Sequence, residues 1–332
     1  MHIVFFEVQD WERNSLLKIF PDALITAEKL TIENALHYTE AEVVSCFIYS
    51  KIDKAVIEML PQLKYITTRS TGFDHIDVTF AGTKGIKTSN VPEYGSTTVA
   101  EHTFALMLSL TRKMYQSVNQ AKTLSFEHSE IRGVDLEGKT LGIVGLGKIG
   151  QHVLQIAKGF GMNVLAYNHS QDKELLDRYT FSYAELDVVF SNSDIITLHL
   201  PFNEHTKHIV NKEAILKFKK GSYLINTARG GLIDSEAIVI GLEKEILDGV
   251  GLDVLEEEKD LSEEIAMLTS EFRQNIDLKN LIYNHILMNH PKVLITPHNA
   301  FNSKEALKRI LETTISNIQN YASDTPTNLV GA

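Results

Sequence analysis

The apolar positions of this chain fall into short runs separated by stretches of helical period, and the alternation repeats along the whole sequence. Residues 2–7 form one apolar run, Val43 to Tyr49 a second, Leu63 to Thr67 a third, and Ile86–Thr88 a short fourth. Helical patterning fills Trp11 to Phe20 and the stretches near 31–39 and 53–60. Strands that alternate with helices imply a parallel sheet covered on both faces. The first hundred residues therefore predict a small α/β domain. From Val99 to about Lys122 the pattern is helical, with Ala100, Phe104, Met107, Leu108 and Thr111 on one stripe. That helix is expected to carry the chain into a second domain.

The second domain opens on Leu141 to Val144, an apolar run that reads as a buried strand. It runs straight into Gly145-x-Gly147-x-x-Gly150, then into a helical pattern from Gln151 to Phe160 and a further strand at Asn163 to Tyr167. In that setting the first glycine makes the tight turn, the second lets backbone approach a pyrophosphate, and the third lets helix and strand pack closely. The helix N-terminus adds unpaired amides and a partial positive charge. The βαβ unit thus predicts a dinucleotide site. More strands follow at Asp194 to Leu200, Ser222–Ile225, Gly249–Asp253 and Val293–Thr296. Residues 256–291 are too long for an ordinary loop and carry helical patterns at Glu263–Phe272 and Leu281–Met288. Lys304 to Tyr321 reads as an amphipathic helix that returns the chain to the first domain. The fold expected is α/β: two Rossmann-like, doubly wound parallel-sheet domains with a cleft between them. The boundaries are 1–100 plus 300–332 for the substrate domain and 101–299 for the dinucleotide domain.

Composition narrows the function classes. At 332 residues there is enough chain for two cores, and a net charge of −11 disfavours a nucleic-acid partner. The single cysteine, Cys46, sits in an apolar run and reads as a small core residue. No apolar run approaches the ~20 residues needed to span a membrane. A cytoplasmic protein without a metal site is expected.

Polar residues follow several strands, where the C-terminal ends of an open parallel sheet converge on a crevice. Arg69 to His75 follows the third strand, and Gly72 there serves either an anion-binding nest or a plain turn. Asn90 to Gly95 follows the fourth. In the second half, Arg229, the stretch from Asp253 to Glu258, and His298 each stand just beyond a strand. Arginine offers a planar fork for a carboxylate, histidine a proton near neutral pH, and a neighbouring carboxylate favours the imidazolium. Taken singly, each has a plainer use: a surface ion pair, a solvated acidic run, a hydrogen-bonded loop histidine. Together, beside a nicotinamide, they suit hydride transfer to a 2-oxo acid.

Over essentially its whole length the chain resembles the D-isomer-specific 2-hydroxyacid dehydrogenases. The segments that carry the resemblance are Ser70-Thr-Gly-Phe-Asp-His-Ile-Asp77, Asn90-Val-Pro-Glu-Tyr94, Val99-Ala-Glu-His-Thr103, Gly145 to Gly150, Asn226-Thr-Ala-Arg-Gly230, Gly251-Leu-Asp-Val254 and Thr296-Pro-His298. The long segment between Asp253 and His298, and the Ala300-Phe301 pair, are similar to the D-lactate dehydrogenase branch. The resemblance implies Arg229 as substrate-binding arginine, His298 as acid/base and Glu258 as its paired carboxylate. It implies a substrate pocket of Thr71, Gly72, Tyr94, Tyr49 and Phe301. On the cofactor side it implies Gly145, Gly147, Lys148, Ile149, Gly150, Asn168, Leu200, Pro201, Thr206, Thr227, Ala228 and Asp253, with NAD as cofactor and a homodimer as assembly.

Two departures from the family pattern matter. Asn168 replaces the acidic residue common at the end of the second strand, so NADP stays open beside NAD; His169, Ser170 and Gln171 supply no arginine. Asn302 stands where lactate-type members often carry an aromatic residue. The expected reaction is therefore NADH-dependent reduction of a small 2-oxo acid, pyruvate to D-lactate first. Hydroxypyruvate, glyoxylate or a bulkier 2-oxo acid is the alternative within the class, and a dinucleotide-sensing, corepressor-like protein the alternative outside it.

Overall fold

Two β-sheets organise the chain in the computed structural model, which describes residues 1–256 and 278–331. The first unit comprises Met1–Tyr94 with Ser303–Ala332. Its strands are β1 (Ile3–Phe5), β2 (Leu24–Ile25), β3 (Val43–Cys46), β4 (Tyr65–Thr68) and β5 (Lys87–Ser89). The second unit, Gly95–Asn302, holds β6 (Thr140–Val144), β7 (Asn163–Tyr167), β8 (Ser182–Tyr183), β9 (Ile195–Leu198), β10 (Ser222–Asn226), β11 (Leu247–Leu252) and β12 (Val293–Ile295). A last strand, β13 (Leu329–Val330), returns to the first sheet.

The six-stranded sheet has the order β13-β5-β4-β3-β1-β2, and the seven-stranded sheet β12-β11-β10-β9-β6-β7-β8. Every pairing is parallel except β13 against β5, so the all-parallel expectation for the first domain fails at one edge. The reason is local: β13 follows a helix by a short turn and reaches the free edge of β5 from the opposite direction. In each sheet the strand order reverses once, between β1 and β3 and between β6 and β9. Those reversal points are where open α/β sheets leave a crevice at their strand ends.

Each sheet has apolar clusters on both faces. Phe104, Met107, Val153 and Ala157 pack on one face of the second sheet, and Phe190, Phe218, Ile238 and Leu287 belong to the cluster on the other. In the first unit Leu311 and Ile318, from the helix Lys304–Ala322, join Phe5 and Tyr65; Tyr65 stacks on Tyr321 with ring centroids 4.1 Å apart. The amphipathic pattern of that helix is legible because it buries a stripe on a sheet already formed. Cys46 is buried and unpaired, as a core residue.

Several elements differ from the expectation. The helix expected over 99–122 is two, Ser96–Thr111 and Met114–Lys122, broken at Lys113, whose φ of 48° is left-handed. Near 31–39 there is only a short 3-10 turn, Ala35–Tyr38. The helix expected over Leu281–Met288 is present as Leu278–Asn289, whereas the pattern at Glu263–Phe272 lies outside the described residues.

Candidate active site

The glycine turn after β6 is built as its sequence requires. Gly145 has a φ of 99°, and a Cβ there would stand 2.6 Å from the His199 carbonyl oxygen. Gly147 caps the helix Lys148–Gly159, and a Cβ on it would meet nothing within 4 Å, so bare backbone faces open space at a helix N-terminus. Those residues fit a dinucleotide diphosphate. Asn168, at the end of β7, is tied to this turn: its Oδ1 accepts from the Leu146 N–H (3.0 Å) and its Nδ2 donates to the Ser170 carbonyl (2.7 Å). On the other side of the reversal point, Leu200 and Pro201 follow β9. Thr206 closes that loop by donating its hydroxyl to the Pro201 carbonyl at 2.6 Å.

Three neighbouring strand ends, β10, β11 and β12, bring Arg229, Asp253 and His298 into one hydrogen-bonded assembly. The Asp253 N–H donates to the Asn226 carbonyl (2.9 Å), and the His298 N–H donates to the Asp253 carbonyl (2.8 Å). Asn226, 1% exposed, shapes the loop that follows β10: its Oδ1 accepts from the Ala228 N–H and its Nδ2 donates to the Arg229 carbonyl. The Arg229 guanidinium donates to the Ala228 carbonyl at 2.8 Å. The Thr227 hydroxyl is 2.9 Å from that of Thr103.

The Asp253 carboxylate is buried and multiply solvated by protein. Oδ1 accepts from the Thr296 hydroxyl (2.5 Å) and the Asn299 N–H (2.8 Å), and Oδ2 accepts from the Ala300 N–H (2.8 Å). Burial alone would raise its pKa; hydrogen bonds from His102, Thr296, Ala300 and Asn299 outweigh that and hold it below the usual aspartate range. His298 takes a left-handed φ of 50°, and its ring lies 6.5 Å from that of Phe301.

Glu258, the carboxylate expected beside His298, lies outside the described residues. Glu256 is described, and its own carboxylate is largely buried and hydrogen-bonded. Its Oε1 is 2.5 Å from His208 Nε2, and Ser235 donates to Oε2 through both N–H and hydroxyl at 3.3 Å. Asn284 donates to the Glu256 carbonyl. Sequence reasoning missed this pair because 48 residues separate its members.

In the first unit, the loops after β4 and β5 are stitched together. Asn90 Nδ2 donates to the Thr71 carbonyl, the Thr71 hydroxyl to the Val91 carbonyl, and the Ser70 hydroxyl to the Gly72 carbonyl. The Tyr94 carbonyl accepts from Arg309 Nε at 2.7 Å. Tyr49 is exposed, on a loop held by a residue absent from the expectations: the Glu7 carboxylate accepts from the N–H groups of Phe47, Tyr49 and Ser50 and from the Ser50 hydroxyl. Glu7 itself has a left-handed φ of 56°. Beneath it the buried Arg69 donates to the carbonyls of Phe6 and Glu7 and meets Glu12 at 3.4 Å. An apolar run ending in Glu7 was visible; that its carboxylate turns back on the loop after β3 was not.

Comparison with known proteins agrees with this geometry. Residues 104–300 match the family described as D-isomer specific 2-hydroxyacid dehydrogenase, NAD binding domain. A D-lactate dehydrogenase of Escherichia coli is 34% identical over 88% of this chain and 86% of its own, and an aromatic 2-oxoacid reductase of Clostridium sporogenes is 37% identical over 78% and 76%. The crystal structure of an Aquifex aeolicus D-lactate dehydrogenase, complexed with NAD and lactic acid, superposes with a TM-score of 0.89 at 32% identity, covering 100% of this chain and 99% of that one. The chain belongs to the D-isomer-specific 2-hydroxyacid dehydrogenases, NAD-binding oxidoreductases with two Rossmann-like units.

Proposed function

We propose that this enzyme reduces a small 2-oxo acid to the D-2-hydroxy acid with NADH, and that pyruvate and D-lactate are its preferred pair. The observation that carries the reading is the assembly on β10, β11 and β12, in which main-chain hydrogen bonds through Asp253 join the loops of Arg229 and His298. The nicotinamide, when bound, supplies the hydride. Arg229 grips the substrate carboxylate and polarises the adjacent carbonyl. His298 donates its ring proton to the carbonyl oxygen as the carbon is reduced, and returns to the neutral form. Glu258 is assigned, from the family resemblance, as the carboxylate paired with His298. The backbone of Thr71 and Gly72 is assigned to the substrate carboxylate, and Tyr49, Tyr94 and Phe301 to the substrate side chain. Lys148, Ile149, Leu200, Pro201, Thr206, Thr227 and Ala228 are assigned to the cofactor with the three glycines, and NAD is favoured over NADP.

A homodimer acting in the cytoplasm completes the reading. Met114, Tyr115, Val118, Leu124 and Phe126 expose large apolar surface within one short segment, the kind of patch that association covers. Cys46, buried and unpaired, suits a reducing compartment. Among the described residues no helix is long and apolar enough to cross a membrane.

The test is NADH oxidation followed with pyruvate, hydroxypyruvate, glyoxylate, 2-oxobutyrate and phenylpyruvate, with chiral analysis of the product. Turnover led by pyruvate and yielding D-lactate supports the reading. Turnover led by phenylpyruvate moves the substrate to a bulkier acid. Tight NADH binding with no turnover on any acid replaces the enzyme by a dinucleotide sensor.

A further inference from the structure

We propose that His102 is a positioning residue for the proton donor His298, acting through Thr296 and Asp253 as a directed hydrogen-bond relay. The proposal rests on the assignment of His298 as the acid. His102 stands on the helix Ser96–Thr111, half-buried, with Nε2 3.0 Å from Thr296 Oγ1 and 3.4 Å from Asp253 Oδ1. These three residues come from distant parts of the sequence and belong to the same unit.

The direction of the relay follows from counting protons. Thr296 has one hydroxyl proton, and it is committed to Asp253 Oδ1 at 2.5 Å. The carboxylate has no proton to return, because the Thr296 hydroxyl and the N–H groups of Asn299 and Ala300 all donate to it and favour its ionised form. Thr296 Oγ1 therefore presents only lone pairs to the imidazole, as does Asp253 Oδ1. An unprotonated Nε2 would set three acceptors against one another. His102 must carry its proton on Nε2 and donate it, so the order is His102 N–H to Thr296 O–H to Asp253 carboxylate. Successive bonds of one sense polarise and strengthen one another.

The relay ends on the group that fixes His298. Asp253 Oδ1 holds the Asn299 N–H, Oδ2 holds the Ala300 N–H, and the Asp253 carbonyl holds the His298 N–H, each at 2.8 Å. His298 itself adopts a left-handed φ of 50°, which a non-glycine residue keeps only where its surroundings over-determine it. Turning the carboxylate would free the two residues after His298 and let that backbone relax. The ring would then leave the line of proton transfer, where a displacement near 1 Å costs on the order of 100-fold in rate. His102 touches none of the reacting atoms; it acts by locking the orientation of Asp253.

The experiment compares wild type, His102→Leu and His102→Gln as full chains. It reads kcat, KM for the best 2-oxo acid, the NADH dissociation constant by fluorescence, and the His102 ring by 15N-histidine NMR. Leucine should lower kcat by roughly 10- to 100-fold while KM and the NADH constant stay within about threefold. Glutamine, which keeps a donor at the same reach, should restore kcat to within about threefold of wild type. The wild-type spectrum should show His102 protonated and hydrogen-bonded at Nε2. A leucine variant with wild-type kcat, a glutamine variant no better than leucine, or a His102 ring protonated at Nδ1 alone overturns the proposal. A wild-type enzyme silent on every 2-oxo acid instead overturns the functional assignment of His298, while the NMR signal still reads the relay by itself.

Discussion

Gly230 and Leu255 leave no room for a side chain between them. A Cβ on Gly230 would stand 2.0 Å from the Leu255 carbonyl oxygen and 2.5 Å from the Glu256 nitrogen. The backbone after β10 thus lies directly against the backbone after β11, one residue beyond Arg229. A paired glycine after an arginine was readable from the sequence, but its partner was not. The close approach fixes where Arg229 leaves the sheet.

Gly230→Ala should therefore lower both stability and substrate binding. The clashing atoms are all backbone, so the strand ends must separate, at a cost of at least the roughly 1–3 kcal/mol typical of core overpacking, and that separation displaces the arginine. The expected outcome is a folded protein whose kcat/KM for the 2-oxo acid falls on the order of 100-fold. Steady-state kinetics beside a thermal melt checks it; wild-type kcat/KM in the alanine variant would show that the contact does not position Arg229.

Asn168 decides the second prediction. Its amide spans the Leu146 N–H and the Ser170 carbonyl, so its oxygen supports the glycine turn while no charge opposes a 2′-phosphate. Asn168→Asp keeps the acceptor for Leu146 and adds repulsion toward NADPH. The ratio of kcat/KM for NADH over NADPH should rise by roughly tenfold, the effect of about 1.4 kcal/mol between the two cofactors. An unchanged ratio would remove residue 168 from cofactor choice.

His199 supplies a pH test. Its Nε2 lies 2.9 Å from the Thr197 hydroxyl, its Nδ1 has no partner among the described residues, and burial pushes its pKa down to about 3. The folded protein keeps this ring neutral down to that pH, whereas the unfolded chain protonates it near ~6.5. Its contribution to stability is thus complete above ~6.5 and is lost as pH falls toward the folded value. Between pH 7.5 and 5.0 the wild type should lose on the order of 1–2 kcal/mol more than His199→Gln. Urea unfolding at the two pH values measures this; equal losses would mean that the ring is protonated in the folded state.

Much of the second unit could be read in advance because its signals are local. Gly145, Gly147 and Gly150 sit within six residues, and the strands that end at Asn226 and Leu252 are apolar runs with polar residues just beyond. That placement singled out Arg229 and His298 as candidates, and the family resemblance supplied the roles proposed for them. What stayed hidden depends on contacts between distant residues. Glu7 reaches the loop after β3 across some forty positions, His208 meets Glu256 across 48, and His102 meets Thr296 across 194. The break at Lys113 was missed for another reason: the apolar period runs on through it, and lysine is no usual mark of a left-handed turn. The two-residue strands β2, β8 and β13 are too short to set a period of their own.

The central claim is that hydride passes from NADH to C2 of a 2-oxo acid on one face. Stereospecifically C4-deuterated NADH, with each of the two labels in turn, should be incubated with pyruvate and the product analysed by chiral chromatography and mass spectrometry. One label should appear at C2 of D-lactate and the other should remain on the oxidised cofactor. Racemic product, label lost to solvent, or no lactate from pyruvate or hydroxy acid from any other 2-oxo acid would contradict the account.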